Sequence, residues 1–234
     1  MLAPAHLLAG QYAHAVEEWD YAAAHFQAVQ QLANHAPTQL LASSFLALTL
    51  CCKPGSSAED VEGAQAAVDA LGDTYVELTS SPVGSRGAKG SEPLELVMAQ
   101  IATALIKYRM GQHQEAHRRL SLALRAAHGR LVHHSLVSTC MTYLVPLLLQ
   151  MGDLAAADSV VASAHLLARG SMRTTCQLHR LLEAVSLAMP RMDRAAKARA
   201  DHEREAAQLQ AQKAEACTSD APGHAYVLNF GLGS

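Results

Sequence analysis

Thirteen histidines are the side chains best able to do chemistry in this 234-residue chain. Imidazole can act as a general base, a proton shuttle or a metal ligand. The tightest grouping is His113-Gln-Glu-Ala-His117. A spacing of four puts both rings on one helix face, as in the zinc motif HExxH. That motif has its general-base glutamate in the second position, whereas Glu115 occupies the third and points elsewhere. Gly111 places His113 at a helix start near solvent. Adjacent His133 and His134 face different directions and do not chelate together. His14 and His25 lie on opposite sides of a break near Trp19. All of these read as surface or packed histidines.

Nucleophile chemistry finds no better support. The five cysteines, Cys51, Cys52, Cys140, Cys176 and Cys217, form no CxxC pair, and their number is odd. That argues against a disulfide framework and for a reducing compartment. Cys51 and Cys52 close an apolar helix, and Cys140 and Cys176 sit among apolar helical residues, so packing is the expected role. No GxSxG elbow is present. Gly84-Ser-Arg-Gly-Ala-Lys-Gly90 has a superficial likeness to a phosphate loop. It lacks GxxxxGK[ST] and follows no strand, so it reads as a linker. No catalytic, cofactor-binding or metal-ligating residue is nominated, and the chain is expected to be no enzyme and to need no cofactor or small-molecule substrate.

The elements that would position any site are helical. The chain has 45 Ala and 33 Leu against 14 Val and 2 Ile, with only 4% aromatic residues. Ala and Leu favour helices, whereas β-branched and aromatic residues favour strands. A sandwich, a barrel or a parallel sheet is therefore disfavoured, and 50% apolar residues rule out disorder throughout. Eighteen Lys and Arg against 21 Asp and Glu give no general field for attracting phosphate. No apolar stretch reaches the roughly 20 residues of a membrane span. MLAPAHLLAG lacks a basic leader region. It reads as the middle of a helix, as though the chain were part of something longer.

Helical periodicity and breakers predict this order. Ala3 to Trp19 and Tyr21 to Ala33 are helical, and Pro37 marks a break over Asn34 to Thr38. Thr38 to Cys52 follows, then a Lys53–Ser57 turn in which Ser56 or Ser57 caps a helix from Ala58 to Leu71. A short segment reaches Leu78. Residues 79–92 read as a flexible Gly/Ser loop. Pro93 opens a helix through Tyr108, and a turn at Gly111 leads to Gln114–His128, ended by Gly129. Val132–Gln150 contains Pro146, a kink signal. Leu154–Ala168, Ser171–Met189 and a highly charged Arg191–Cys217 complete the series. Residues 1–78 and 93–217 thus form two helical parts, followed by a 218–234 tail.

Two helix pairs share a register. Gly111 precedes Ala116, Leu120 and Ala123, and 41 residues later Gly152 precedes Ala157, Val161 and Ala164. Ala22, Phe26 and Val29 echo them without a glycine. This is the turn and second helix of a tetratricopeptide-like (TPR-like) repeat. Small Ala lets paired helices approach, and the bulky residue fills space towards a neighbouring pair. One pair cannot bury its face alone, so repeats stack. The expected class is all-α, an α-α superhelix or TPR-like solenoid, with Arg191–Cys217 as its polar capping helix or a contact surface.

Particular residues point further. His6-Leu-Leu-Ala-Gly-Gln-Tyr12, Asp20-Tyr-Ala-Ala-Ala-His-Phe26 and Gln31-Leu-Ala-Asn-His35 come first. Met110-Gly-Gln-His-Gln-Glu-Ala116, Arg119-Leu120, Gln150-Met-Gly-Asp153 and Val161 to Leu167 follow. Gln177-Leu178, Glu183-Ala184, Ala206 to Gln212, Glu215-Ala-Cys217 and Asn229-Phe-Gly231 close the series. In this order they resemble the C-terminal portion of the cohesin loading factor family. Residues 53–92 fall outside the likeness, and 79–92 look like an insertion. The resemblance implies a nuclear, non-enzymatic scaffold that wraps an extended segment of the large HEAT-repeat loader subunit, of the Nipped-B or adherin type. Through that partner it would act indirectly on cohesin, chromatin and sister-chromatid cohesion. Much of the family's wrapping surface would lie upstream of Met1.

Overall fold

Ala- and Leu-rich segments separated by glycines and polar turns become helix after helix in the computed structural model. It describes residues 2–15, 17–80, 94–129, 134–168 and 172–218. The elements are α1 (Leu2–Ala15), α2 (Trp19–Leu32), α3 (Ala36–Cys52), α4 (Ala58–Ser80), α5 (Leu94–Arg109), α6 (His113–Gly129), α7 (His134–Met151), α8 (Leu154–Leu167), α9 (Met172–Ala188) and α10 (Met192–Thr218). No strand occurs among the described residues. The chain divides into two compact units, Met1–Val132 and His133–Ser234.

In the first unit, α1 packs on α2, α2 on α3, α3 on α4 and on α5, and α5 on α6. Its centre is aromatic: Phe26 and Phe45 stack at 5.3 Å with planes 13° apart. Burying each ring contributes about 2–3 kcal/mol. Phe26 fits because α1 offers Gly10 beneath it; a Cβ there would lie 2.7 Å from Phe26 Cε1. In the second unit, α7 packs on α8 and α9, α8 on α9, and α9 on α10. Pairing of consecutive helices, with contact between the first helices of successive pairs, is the all-α superhelical-repeat class expected from the sequence, each unit taken by itself.

The repeat register is written in the turns. Gly111 has φ +74° and Gly152 has φ +78°. Beside them, Gln112 N–H donates to the Lys107 carbonyl at 2.8 Å, and Asp153 N–H to the Leu148 carbonyl at 3.0 Å. These are six-to-one helix closures of the Schellman kind, which favour glycine in the left-handed position. The echo without a glycine closes the same way. Glu17 has φ +68°, and Glu18 N–H donates to the Ala13 carbonyl at 2.9 Å. Glu17 stands five residues before Ala22, as Gly111 stands before Ala116 and Gly152 before Ala157. The following faces match as well: Ala22, Phe26, Val29; Ala116, Leu120, Ala123; and Ala157, Val161, Ala164 are all fully buried or nearly so. Arg191 N–H to the Ser186 carbonyl, at 2.8 Å, repeats the closure before α10. Ala195 takes the first buried position there, but Arg199 and His202 replace the later apolar residues.

Several boundaries differ from the sequence reading. The first helix ends at Ala15 rather than Trp19, because the left-handed Glu17 closes it. Pro37 lies in the first turn of α3, where its missing N–H costs no bond, so the expected break shortens. Ala58 to Ser80 is one helix, although it contains Gly63 and Gly72. Thr79 and Ser80 are therefore helical; the rest of the expected loop, with Pro93, lies outside the described residues. Gly129 is the last residue of α6 rather than a left-handed cap. Thr218 still belongs to α10, and the remainder of the expected tail lies outside the described residues. The two sequence-defined helical parts also meet, since α3 and α4 both pack on α5.

Side chains close some of the other termini. Ser57 Oγ accepts from Asp60 N–H at 3.0 Å and donates to Asp60 Oδ2 at 2.6 Å, so Ser57 is the cap of α4. Hydrogen bonds from Ser57 hold the Asp60 carboxyl below its ordinary value. Asp153 caps α8 by accepting from Ala156 N–H at 3.0 Å. Arg109 of α5 donates to the Cys51 carbonyl at 3.0 Å, reaching the last turn of α3. At Asp158 of α8, Arg191 and Arg194 donate to separate carboxylate oxygens at 2.8 and 2.6 Å. Partial burial pushes this carboxyl up, but the two guanidinium groups outweigh it and hold it below its ordinary value.

Candidate functional site

His113 begins α6, but it is half-buried and packs on the Tyr108 ring at 5.6 Å. His117 is half-buried one turn later. Glu115 faces neither as a base. It accepts from Arg118 at 2.6 and 2.8 Å and from Arg119 at 2.8 Å, and these bonds hold its carboxyl down to about 2. A carboxylate so occupied has little basicity for proton abstraction. His134 is exposed, and His133 lies outside the described residues. Among the described residues no group of three or more His, Cys, Asp or Glu could hold a metal ion.

His14 and His25 belong to different helices and different neighbourhoods. Thr49 Oγ1 donates to the Phe45 carbonyl at 2.8 Å, so it accepts at 3.0 Å from Nδ1–H of buried His14. Trp19 stands edge-on to the same ring at 5.3 Å. This is a packed histidine tying α1 to α3. His25 instead meets His6 of α1, Nδ1 to Nδ1 at 2.9 Å. One of these two nitrogens must carry the proton and the other must accept it. The pairing joins residues 19 apart, beyond the reach of any single-helix spacing rule.

The cysteines divide by burial. Cys51, Cys140 and Cys176 are buried, and Cys52 is half-buried; all four are free thiols. Burial pushes Cys140 up to about 12. Burial and then neighbouring Cys52 do the same for Cys51, against the pull of Arg109. Neither is a nucleophile near neutral pH, since the thiolate is the reactive form.

Cys176 of α9 has a thiol–imidazole contact that spacing did not foresee, with His202 Nδ1 at 3.3 Å. Such a pair can activate a nucleophile when the imidazole accepts the thiol proton. Here the same Nδ1 lies 3.0 Å from the Cys176 carbonyl oxygen. A carbonyl can only accept, so Nδ1 carries a hydrogen and cannot take the proton from sulfur. Burial, then the charge of Glu205, pushes the thiol up. The pair is a clasp between α9 and α10.

The seam that recurs in α2, α6 and α8 is a buried Ala followed by a bulky residue and a further apolar one, and in this register α10 keeps only the Ala. On α10, Arg199 donates to Glu183 of α9 at 2.6 Å and Arg204 to Asp201 at 2.7 Å. The charged helix is thus partly self-paired, while Lys197, Glu203 and Gln208 stay exposed. No helix among the described residues is long and apolar enough to cross a membrane. No protein-family model matches the chain, and no curated protein matches it.

Proposed function

We propose that this chain is a non-enzymatic helical-repeat scaffold that captures an extended segment of another protein. More specifically, we propose that the partner is the large HEAT-repeat subunit of the cohesin loader, and that the chain supports cohesin loading and sister-chromatid cohesion in the nucleus. The observation that supports the scaffold reading is the recurrent hairpin. Glu17, Gly111 and Gly152 each close a helix in the same way, five residues ahead of a buried Ala. Repeats built on such a seam leave their outer residues free to vary, and helical repeats use those surfaces for binding. The cohesin-loader reading rests on the ordered resemblance from His6 to Cys217.

Affinity would come from many modest contacts spread over successive helices. The captured segment would lose conformational freedom on binding, so contacts must exceed that cost. The test is a pull-down of this chain with the N-terminal segment of the large loader subunit from the same organism. Saturable, stoichiometric capture is expected. Failure to bind, repeated with any sequence upstream of Met1 restored, would leave a general adaptor with another peptide ligand as the better reading.

A further inference from the structure

Three helices of the second unit bring titratable groups together at one point. His165 of α8 and His179 of α9 have ring centroids 4.8 Å apart, with planes tilted 47°. His179 Nε2 also lies 3.3 Å from Oε1 of Glu205 on α10. The His179 and Glu205 side chains are 16% and 18% exposed, so water reaches them only in part. Among the described residues, His165 Nε2, His179 Nδ1 and Glu205 Oε2 are buried atoms without a hydrogen-bond partner.

The chemistry of this arrangement limits its charge. A carboxylate only accepts, so His179 bonds to Glu205 through Nε2–H. In the neutral ring, Nδ1 is then a bare lone pair. A proton added there makes an imidazolium whose charge Glu205 can balance. A second proton, on His165, puts a like charge on a ring centred 4.8 Å from the first, and among the described residues no carboxylate forms an ion pair with His165. The surroundings do not relieve it. Asp158 of α8 is bound to Arg191 and Arg194, Glu183 of α9 to Arg199, and Asp201 of α10 to Arg204. Arg194 opposes a positive His165, whereas Asp201 and Glu205 favour it. Arg180 acts on Cys176 in the same α9–α10 seam. His202 already donates from Nδ1 to the Cys176 carbonyl and keeps that bond when charged.

We propose that His165, His179 and Glu205 form a proton-sensitive clasp that holds α10 on α8 and α9 at neutral pH and loosens as both imidazoles become charged. Burial first, and then His179, hold His165 below its ordinary imidazole value. The sign follows. A group lowered on folding contributes stability that is fully present above its unfolded value, about 6.5. That contribution is lost as pH falls from there through the folded value, because the unfolded state takes up the proton first. Loosening would bare the seam side chains Ala195 and Ala198 of α10 and Leu178 of α9, all buried in the closed form. The clasp is independent of which partner the scaffold binds.

The test is hydrogen exchange on the full chain at about pH 7.5 and about pH 5.5, on either side of the imidazole range, corrected for intrinsic exchange. Protection of the α10 amides in the wild type is expected to fall several-fold, with about ten-fold the limit for one imidazole over this range. In His165→Leu, which cannot take the second proton, the fall is expected to shrink to about two-fold or less, with protection at the higher pH retained. An equal fall in both proteins, or none in the wild type, overturns the proposal. His6→Gln, in the first unit, should behave as wild type. Should His165→Leu fail to fold, imidazole titration of the wild type by NMR decides. Proton uptake by His165 below the ordinary imidazole range is expected, and uptake at the ordinary value overturns the clasp.

Discussion

Single atoms decide how close these helices come. Gly10 is needed because Phe26 stands where its Cβ would be, a contact that no local spacing encodes. Gly10→Ala should therefore lose stability, although alanine is the better helix former. The expected cost is about 1–3 kcal/mol, that of overpacking a filled core, read from the urea midpoint. No loss would mean that Phe26 is free to move. The thiols make a second residue-scale case. Their packing role was legible from their apolar neighbours, and burial keeps Cys51, Cys140 and Cys176 protonated. Iodoacetamide at neutral pH should label half-buried Cys52 before those three, as read by peptide mass spectrometry. Early labelling of Cys140 would contradict its burial in α7. The histidine partners were not legible. His6 with His25, and His165 with His179 and Glu205, are joined by helix packing, which no local spacing encodes.

At the scale of elements, periodicity exposed the helices, and the turn glycines exposed two of the hairpins. The Ala116–Leu120–Ala123 and Ala157–Val161–Ala164 faces could be read directly because small and bulky residues recur in one register. Glu17 hid a further closure, since a glutamate gives no sign that it will adopt a left-handed backbone. Helix ends were less legible for related reasons. Pro37 reads as a breaker but is compatible with a first turn, and the helix expected to end at Leu71 runs on through Gly72 inside α4. The shared closure carries a paired prediction. Gly111→Ala forces a side chain into the left-handed region and should lose about 1–2 kcal/mol. Glu17→Gly relieves the same conformation, offset by the greater freedom of an unfolded glycine, and should lose nothing. Thermal melts of both variants check this. A marked loss in Glu17→Gly would show that its side-chain contacts outweigh the backbone term.

For the molecule as a whole, composition alone pointed to an all-α chain, since so few β-branched and aromatic residues cannot supply a sheet. Repeat architecture was legible from register. The site was not, because a repeat surface binds through residues that differ from one helix to the next, and one sequence does not say which of them matter. Charge adds little: 18 basic and 21 acidic residues leave a net of −3, too small to select a partner by long-range attraction. On the proposed scaffold reading, selectivity would lie in local complementarity along the helices. The measurement closest to that claim is a fluorescence-anisotropy titration of this chain into a labelled N-terminal segment of the large cohesin-loader subunit. Saturable one-to-one binding, competed by the unlabelled segment and not by a scrambled one, is the expected result. Equal competition by the scrambled segment, or no saturable binding by a chain that circular dichroism shows to be folded and helical, would contradict it.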